Sequence, residues 1–300
     1  MLRSNIEIVE KLIDCLKTKV SHYKEHMLEC LFYLVFPEDK SREDIKKNPK
    51  AEAYIKMNND QLKKLKARFR ELKGFNLMMD TFATENVEPI LYHSSRIIGI
   101  FLSCVSFTEC TKVFLESSVI IRMAEKLSHG SSRLLHECAK CISYALDSIG
   151  LPEPKVKIII PKIVQMLGSD DPQFAQYLSR CLVSATINSV ENKNIIMICN
   201  GIQGLLALLD KYKNVDNNNF KPIYDEIMDN SLIALKNLVR DKIDPSQKYK
   251  GIEIVSRFFI ENVINLLIPG YQQSHGTEFA NESDPNGKYQ NKESCFNPFD

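Results

Sequence analysis

Six copies of one apolar triplet restrict this chain to a narrow set of architectures. The first residues of the copies are Ile6, Phe75, Ile120, Ile160, Ile202 and Ile252. Three positions later stand Val9, Met78, Met123, Ile163, Leu205 and Val255; seven later stand Ile13, Phe82, Leu127, Leu167, Leu209 and Phe259. That spacing puts each triplet on one side of a helix. The copies begin 69, 45, 40, 42 and 50 residues apart. Each of the first five continues into a second long helix, expected at Ser21–Phe36, Val87–Ser106, Ser131–Ser148, Pro172–Ser189 and Ile223–Arg240. Such a unit cannot bury its apolar face alone and is stable only when stacked on its neighbours. No stretch alternates with a period of two, so strands are not expected. The expected fold is all-α, a stacked helical solenoid of about six units over residues 1–270.

Punctuation agrees with that register. Asn194–Leu209, NIIMICNGIQGLLALL, reads as a short helix, a turn at Asn200-Gly201 and a strongly apolar helix. Ser169-Asp170-Asp171-Pro172 supplies cap residues followed by a proline suited to a first helical turn. Two segments interrupt the rhythm: a basic helical insertion at about 38–73 and the polar loop 214–221. Ile252–Ile268 reads as the helix that caps the stack, ended by Pro269-Gly270, and residues 271–300 read as a disordered tail.

Composition narrows the job. The net charge is +1, so no global field points to nucleic acid or membrane. Nine cysteines at irregular spacing do not form a disulfide framework. Cys15, Cys30, Cys104, Cys181 and Cys199 read as core residues of a protein in a reducing, cytoplasmic compartment, cytoskeletal or nuclear locations included. No apolar run approaches the ~20 residues of a membrane span.

Several stretches carry a family likeness. Asn192–Leu209, NKNIIMICNGIQGLLALL, followed by Asn230–Asp241, NSLIALKNLVRD, is similar to the armadillo repeat. The shared pattern is a short first helix, Gly-Ile opening a second helix with paired leucines, and a third helix ending in Leu-x-Asn-Leu. IPKIVQML (160–167) with SDDPQFAQYLSRCLVSA (169–185), and VFLESSVIIRMAEKLSHGS (113–131), resemble it too. HEAT repeats share the period, but the short first helix and the break at Asn200-Gly201 favour armadillo. The resemblance covers residues 74–260 well and 4–36 weakly. It implies a right-handed superhelical armadillo/HEAT-like solenoid with a concave groove, lined by the third helices, that binds an extended peptide or a partner helix. The Asn of Leu-x-Asn-Leu is Asn237; the aligned positions in preceding units are Cys104, Tyr144 and Ser184.

A fixed offset of 40 between third helices puts Arg96, His136 and Gln176 in one row, with Ile100, Lys140 and Arg180 in the next. Residues four apart share a helix face. The expected groove set is therefore Arg96, His136, Lys140, Tyr144, Gln176, Arg180, Ser184 and Asn237, with a cationic middle suited to an acidic, partly hydrophobic peptide. Lys46–Lys73 holds ten basic residues against three acidic ones. Leu62, Leu65, Phe69 and Leu72 give it a docked stripe, and Lys63, Lys64, Lys66 and Arg68 a basic patch for an acidic partner; a merely solvated face is the plainer reading. In the tail, Asn297-Pro298-Phe299 resembles the short peptide bound by EH domains.

Catalytic and metal readings find less. Cys138-Ala139-Lys140-Cys141 is a CxxC with His129 and His136 nearby, but it lies inside a helix and has no second pair, so core cysteines are expected rather than zinc. No nucleophile motif or phosphate loop accompanies His22, His93, His129 or His136. The expected function is a non-catalytic interaction scaffold or adaptor, without cofactor, metal or small-molecule substrate, acting on a protein partner. Two alternatives stand beside it: a structural component of an axonemal or microtubule-associated cytoskeletal assembly, and a trafficking adaptor using the tail motif.

Overall fold

A computed structural model describes residues 6–17, 23–35, 49–149, 153–187, 189–213 and 220–240. The chain divides into two compact units, Met1–Ile252 and Glu253–Asp300, and the described helices all belong to the first. The expected capping helix, the polar insertion at 214–219 and the tail lie outside the described residues. Those residues form thirteen α-helices and no strand.

The helices are α1 (Ile6–Lys17), α2 (Lys24–Val35), α3 (Pro49–Glu71), α4 (Gly74–Thr84), α5 (Glu88–Leu102), α6 (Thr108–Glu116), α7 (Val119–Lys126), α8 (Ser132–Ile149), α9 (Glu153–Gln165), α10 (Pro172–Thr186), α11 (Val190–Ile198), α12 (Gly201–Tyr212) and α13 (Lys221–Arg240). The apolar triplets run along α1, α4, α7, α9 and α12 into the turns that follow. Every triplet residue from Val9 to Leu209 is buried, most at 0% exposure. The long partner helices α2, α5, α8, α10 and α13 stack in that order, each packed on the next. This is an armadillo-like solenoid.

Two turns show how a unit is closed. Among the described residues, Lys73 and Asn200 are the non-glycine residues with positive φ, at 58° and 62°. Each is followed by a glycine that opens a helix. A Cβ on Gly201 would lie 2.3 Å from Ile196 Cγ2, and one on Gly74 2.6 Å from the Phe69 ring. In both cases the second helix sits directly on a side chain five residues back. Within the segment read as a basic insertion, α3 packs on α1, α2 and α4, with Leu62, Leu65 and Phe69 of its apolar stripe buried and Leu72 half-buried.

Neighbouring units are also joined by cations placed on carbonyl oxygens. Arg122 donates to the carbonyls of Ala83 and Glu85, Lys155 to those of Leu115 and Ser117, and Lys211 to that of Ser169 at 2.9 Å. The partners lie 39, 40 and 42 residues apart for Ala83, Leu115 and Ser169. Lys155 and Leu115, and Lys211 and Ser169, hold the same place relative to the triplets of consecutive units, while Arg122 reaches back to the end of α4 in the unit before. Helix C-termini leave carbonyls unsatisfied and carry partial negative charge, so a cation there is favourable.

The cysteines divide. Cys138, Cys141 and Cys181 are fully buried, and burial pushes all three thiols up, out of the thiolate range. Cys141 donates to the Ser95 carbonyl at 3.2 Å, an ordinary packing role. Among the described residues no group of three or more His, Cys, Asp or Glu is placed to hold a metal. Cys15 and Cys30, expected in the core, are exposed, and Cys104 and Cys199 are half-buried. No single described helix is long and apolar enough to cross a membrane; α11 and α12 reach that composition only together, across a 73° bend.

Candidate interaction surface

The third-helix stack presents the residues singled out by the 40-residue offset, but it uses many of them to hold itself together. Asp171 caps α10, accepting from Phe174 N at 3.2 Å. Its other oxygen lies 2.7 Å from His136 Nε2 on α8. On α8, Glu137 accepts from Lys140 Nζ at 3.3 Å. Burial pulls the Lys140 ammonium down, yet Glu137, with Tyr177, outweighs it and holds it above the usual lysine value. Asp147, also on α8, accepts from Arg180 Nε at 2.6 Å and from Ser184 Oγ at 2.5 Å on α10. Gln176 donates to Glu226 on α13 at 2.5 Å, and the same carboxylate lies 4.0 Å from Arg180 Nη1.

Aromatic rings fill the space between these pairs. Tyr144 and Tyr177 meet edge to face at 6.5 Å, and the Arg180 guanidinium sits 5.8 Å from the Tyr144 ring centre. Burial raises the Tyr177 hydroxyl above the usual tyrosine value. Both rings remain partly exposed. Tyr144, Tyr177, Lys140 and Arg180 therefore form one polar–aromatic patch across α8 and α10.

The outer positions behave differently. Arg96 is turned toward α2, its guanidinium 3.3 Å from the Phe32 ring centre, so it ties two units together. Asn237 donates to Thr186 Oγ1 at 3.2 Å, and Asn230 to Ser179 Oγ at 3.3 Å. These last contacts span 51 residues, because α13 begins 19 residues after Ile202 whereas α10 begins 12 after Ile160. A constant offset of 40 could not find them, nor Glu226. The middle of the surface is not cationic as expected: Glu137, Asp147 and Glu226 stand beside Lys140 and Arg180 and balance them.

The four residues of the basic patch separate as well. Lys63 and Lys64 are exposed. Arg68 is bound to Glu10, Nη2 to Oε1 at 2.6 Å, and to Glu71 at 2.9 Å. Lys66 is buried at 8% exposure, off the outer face. It belongs with Leu62 and Phe69, one turn away on either side, and not with the patch. The tail residues Asn297, Pro298 and Phe299 lie outside the described residues.

Comparison with known proteins agrees with the geometry. No family model matches the chain. Among curated proteins it is 20% identical to junction plakoglobin of Xenopus laevis over 187 residues, 62% of this chain and 23% of that protein. It is 34% identical to the armadillo repeat-containing protein wrm-1 of Caenorhabditis elegans over 76 residues, 25% of this chain and 9% of that one. The chain thus matches under a quarter of either relative's length. A designed armadillo repeat protein superposes with a TM-score of 0.59 at 11% identity, covering 89% of this chain and 96% of its own. Another, in complex with the peptide (KR)4, gives 0.59 at 11%, covering 89% and 95%. The chain is similar in sequence to armadillo-repeat proteins and has the armadillo-repeat fold.

Proposed function

We propose that this protein is a non-catalytic interaction scaffold that binds a peptide segment of a protein partner on its third-helix surface. The observation that carries the reading is the patch of Tyr144, Tyr177, Lys140 and Arg180, where two half-exposed tyrosines are held edge to face between fixed charges. Tyrosine and arginine are the residue types that most often supply interface energy, and here their side chains are already ordered. The designed armadillo protein bound to (KR)4 supports a peptide as the kind of ligand this architecture holds. Because Arg180 and Lys140 already have carboxylate partners, an aliphatic or aromatic side chain packing on the tyrosines would contribute more affinity than an acidic residue would. An adaptor role in the cytoplasm belongs to the same reading.

The test begins with affinity capture from the source cells and mass spectrometry of what is recovered. Tyr144→Ala should then lower affinity for the recovered partner at least about tenfold, or ~1.4 kcal/mol, with helical content and melting temperature unchanged. Undiminished affinity would place the partner elsewhere.

A further inference from the structure

A second site lies outside the third-helix patch. Between α3 and the turn after α5 is a cavity of about 590 Å³. This falls within the ~300–1,000 Å³ range of small-ligand pockets. Leu62 and Ala67 of α3 and Phe107 of the turn supply apolar wall. Lys66 lies in the same wall, 8% exposed, and its Nζ donates to the Cys104 sulfur at 3.5 Å. A thiol is a weak acceptor, a poor partner for a buried ammonium. The Arg70 guanidinium stands 5.6 Å from the Phe107 ring centre, and Lys63 is at the rim. Among the described residues the lining holds no carboxylate. Asp60 lies 4.0 Å from the exposed Lys63, outside the lining.

A cavity with three cations, no acid and a largely apolar wall asks for an occupant that brings negative charge on an aliphatic stem. We propose that it receives an acidic side chain of a peptide partner, its carboxylate against Lys66 and Arg70 and its methylenes along Leu62, Ala67 and Phe107. A bare phosphate would satisfy the cations but leave that wall uncovered. Burying a lysine end is costly unless it is paired, and the incoming carboxylate supplies the pairing. The site does not depend on the reading of the third-helix patch, since none of its residues belongs to that patch.

The probes are the capped peptide (Leu-Glu)3 and its uncharged counterpart (Leu-Gln)3, titrated calorimetrically against the whole chain. The Glu peptide should bind at least about tenfold more tightly than the Gln peptide, and should slow alkylation of Cys104 by iodoacetamide, followed by mass spectrometry. Lys66→Met keeps the aliphatic volume and removes the charge; Arg70→Gln removes the charge at the mouth and keeps a polar end. Each should weaken the Glu peptide at least about tenfold with melting temperature maintained, while Tyr144→Ala leaves its affinity untouched. No binding at millimolar peptide, equal binding of the two peptides, or indifference to both Lys66→Met and Arg70→Gln would overturn the proposal. So would displacement of the Glu peptide by inorganic phosphate at matching affinity, which would make the cavity a phosphate site.

Discussion

His93 shows how much one side chain can reveal about its surroundings. It sits on α5 at 8% exposure, with Nδ1 buried and without a hydrogen-bond partner among the described residues. Burial lowers its pKa from 6.5, and Arg96 lowers it further; Glu29, Glu25 and His26 of α2 also face it, the carboxylates opposing and His26 adding to the depression. A base with a depressed folded-state pKa binds its proton more readily when unfolded. Its contribution is therefore complete above pH 6.5 and is lost as pH falls from there toward the folded value. Melting temperature should drop between about pH 7 and about pH 5, and less steeply in His93→Gln; parallel profiles would show that other groups set the slope. Nothing in the sequence marked this histidine, because its burial depends on α2, more than fifty residues away. Helical spacing alone put Tyr144 and Arg180 on one face, and the guanidinium lies 5.8 Å from the ring centre. The pairing of Arg180 with Asp147 was not legible in that spacing, since it runs 33 residues back across a unit boundary rather than along a row.

At the level of the helix, the glycines give a sharper test than the long apolar faces do. Gly201→Ala would drive a methyl into Ile196 and should cost about 1–3 kcal/mol, as other overpacked sites do. Gly74→Ala, against the Phe69 ring, should cost a similar amount. Gly168 has nothing within 4 Å of the place its Cβ would take. Gly168→Ala should therefore be neutral or slightly stabilising, by up to about 1 kcal/mol through the unfolded chain. Urea titration of the three variants checks the ordering, and equal losses at all three would mean that close packing is not what selects glycine here. Asn200-Gly201 was legible because asparagine tolerates the left-handed region; Lys73-Gly74 was not, because lysine gives no such signal. The apolar stripe of α3 at Leu62, Leu65 and Phe69 was plain in the sequence, but the helix partners that bury it were not.

Across the whole stack, long-range order comes from contacts between one unit and the next. The apolar triplets make each unit, and Arg122, Lys155 and Lys211 fasten the third, fourth and fifth to the unit before. Stability in such arrays is close to a sum of unit terms and nearest-neighbour terms. Replacing Arg122, Lys155 and Lys211 together by methionine should leave helical content intact but make urea unfolding less cooperative, seen as a smaller slope of stability against urea. A shift of midpoint at constant slope would show that the three contacts add stability without coupling units. Their period was half-visible in the sequence: the spacing of Ile120, Ile160 and Ile202 fixed where a unit repeats, but not which cation would reach back across it. Because these fastenings recur between the middle units, a chain pulled from its ends bears force in series. The weakest seam should yield first, and each later rupture should release about one unit of chain, ~40 residues or ~130–145 Å of extended backbone. Force–extension traces would then show a staircase of similar steps, the mechanics of a spring that lengthens in stages.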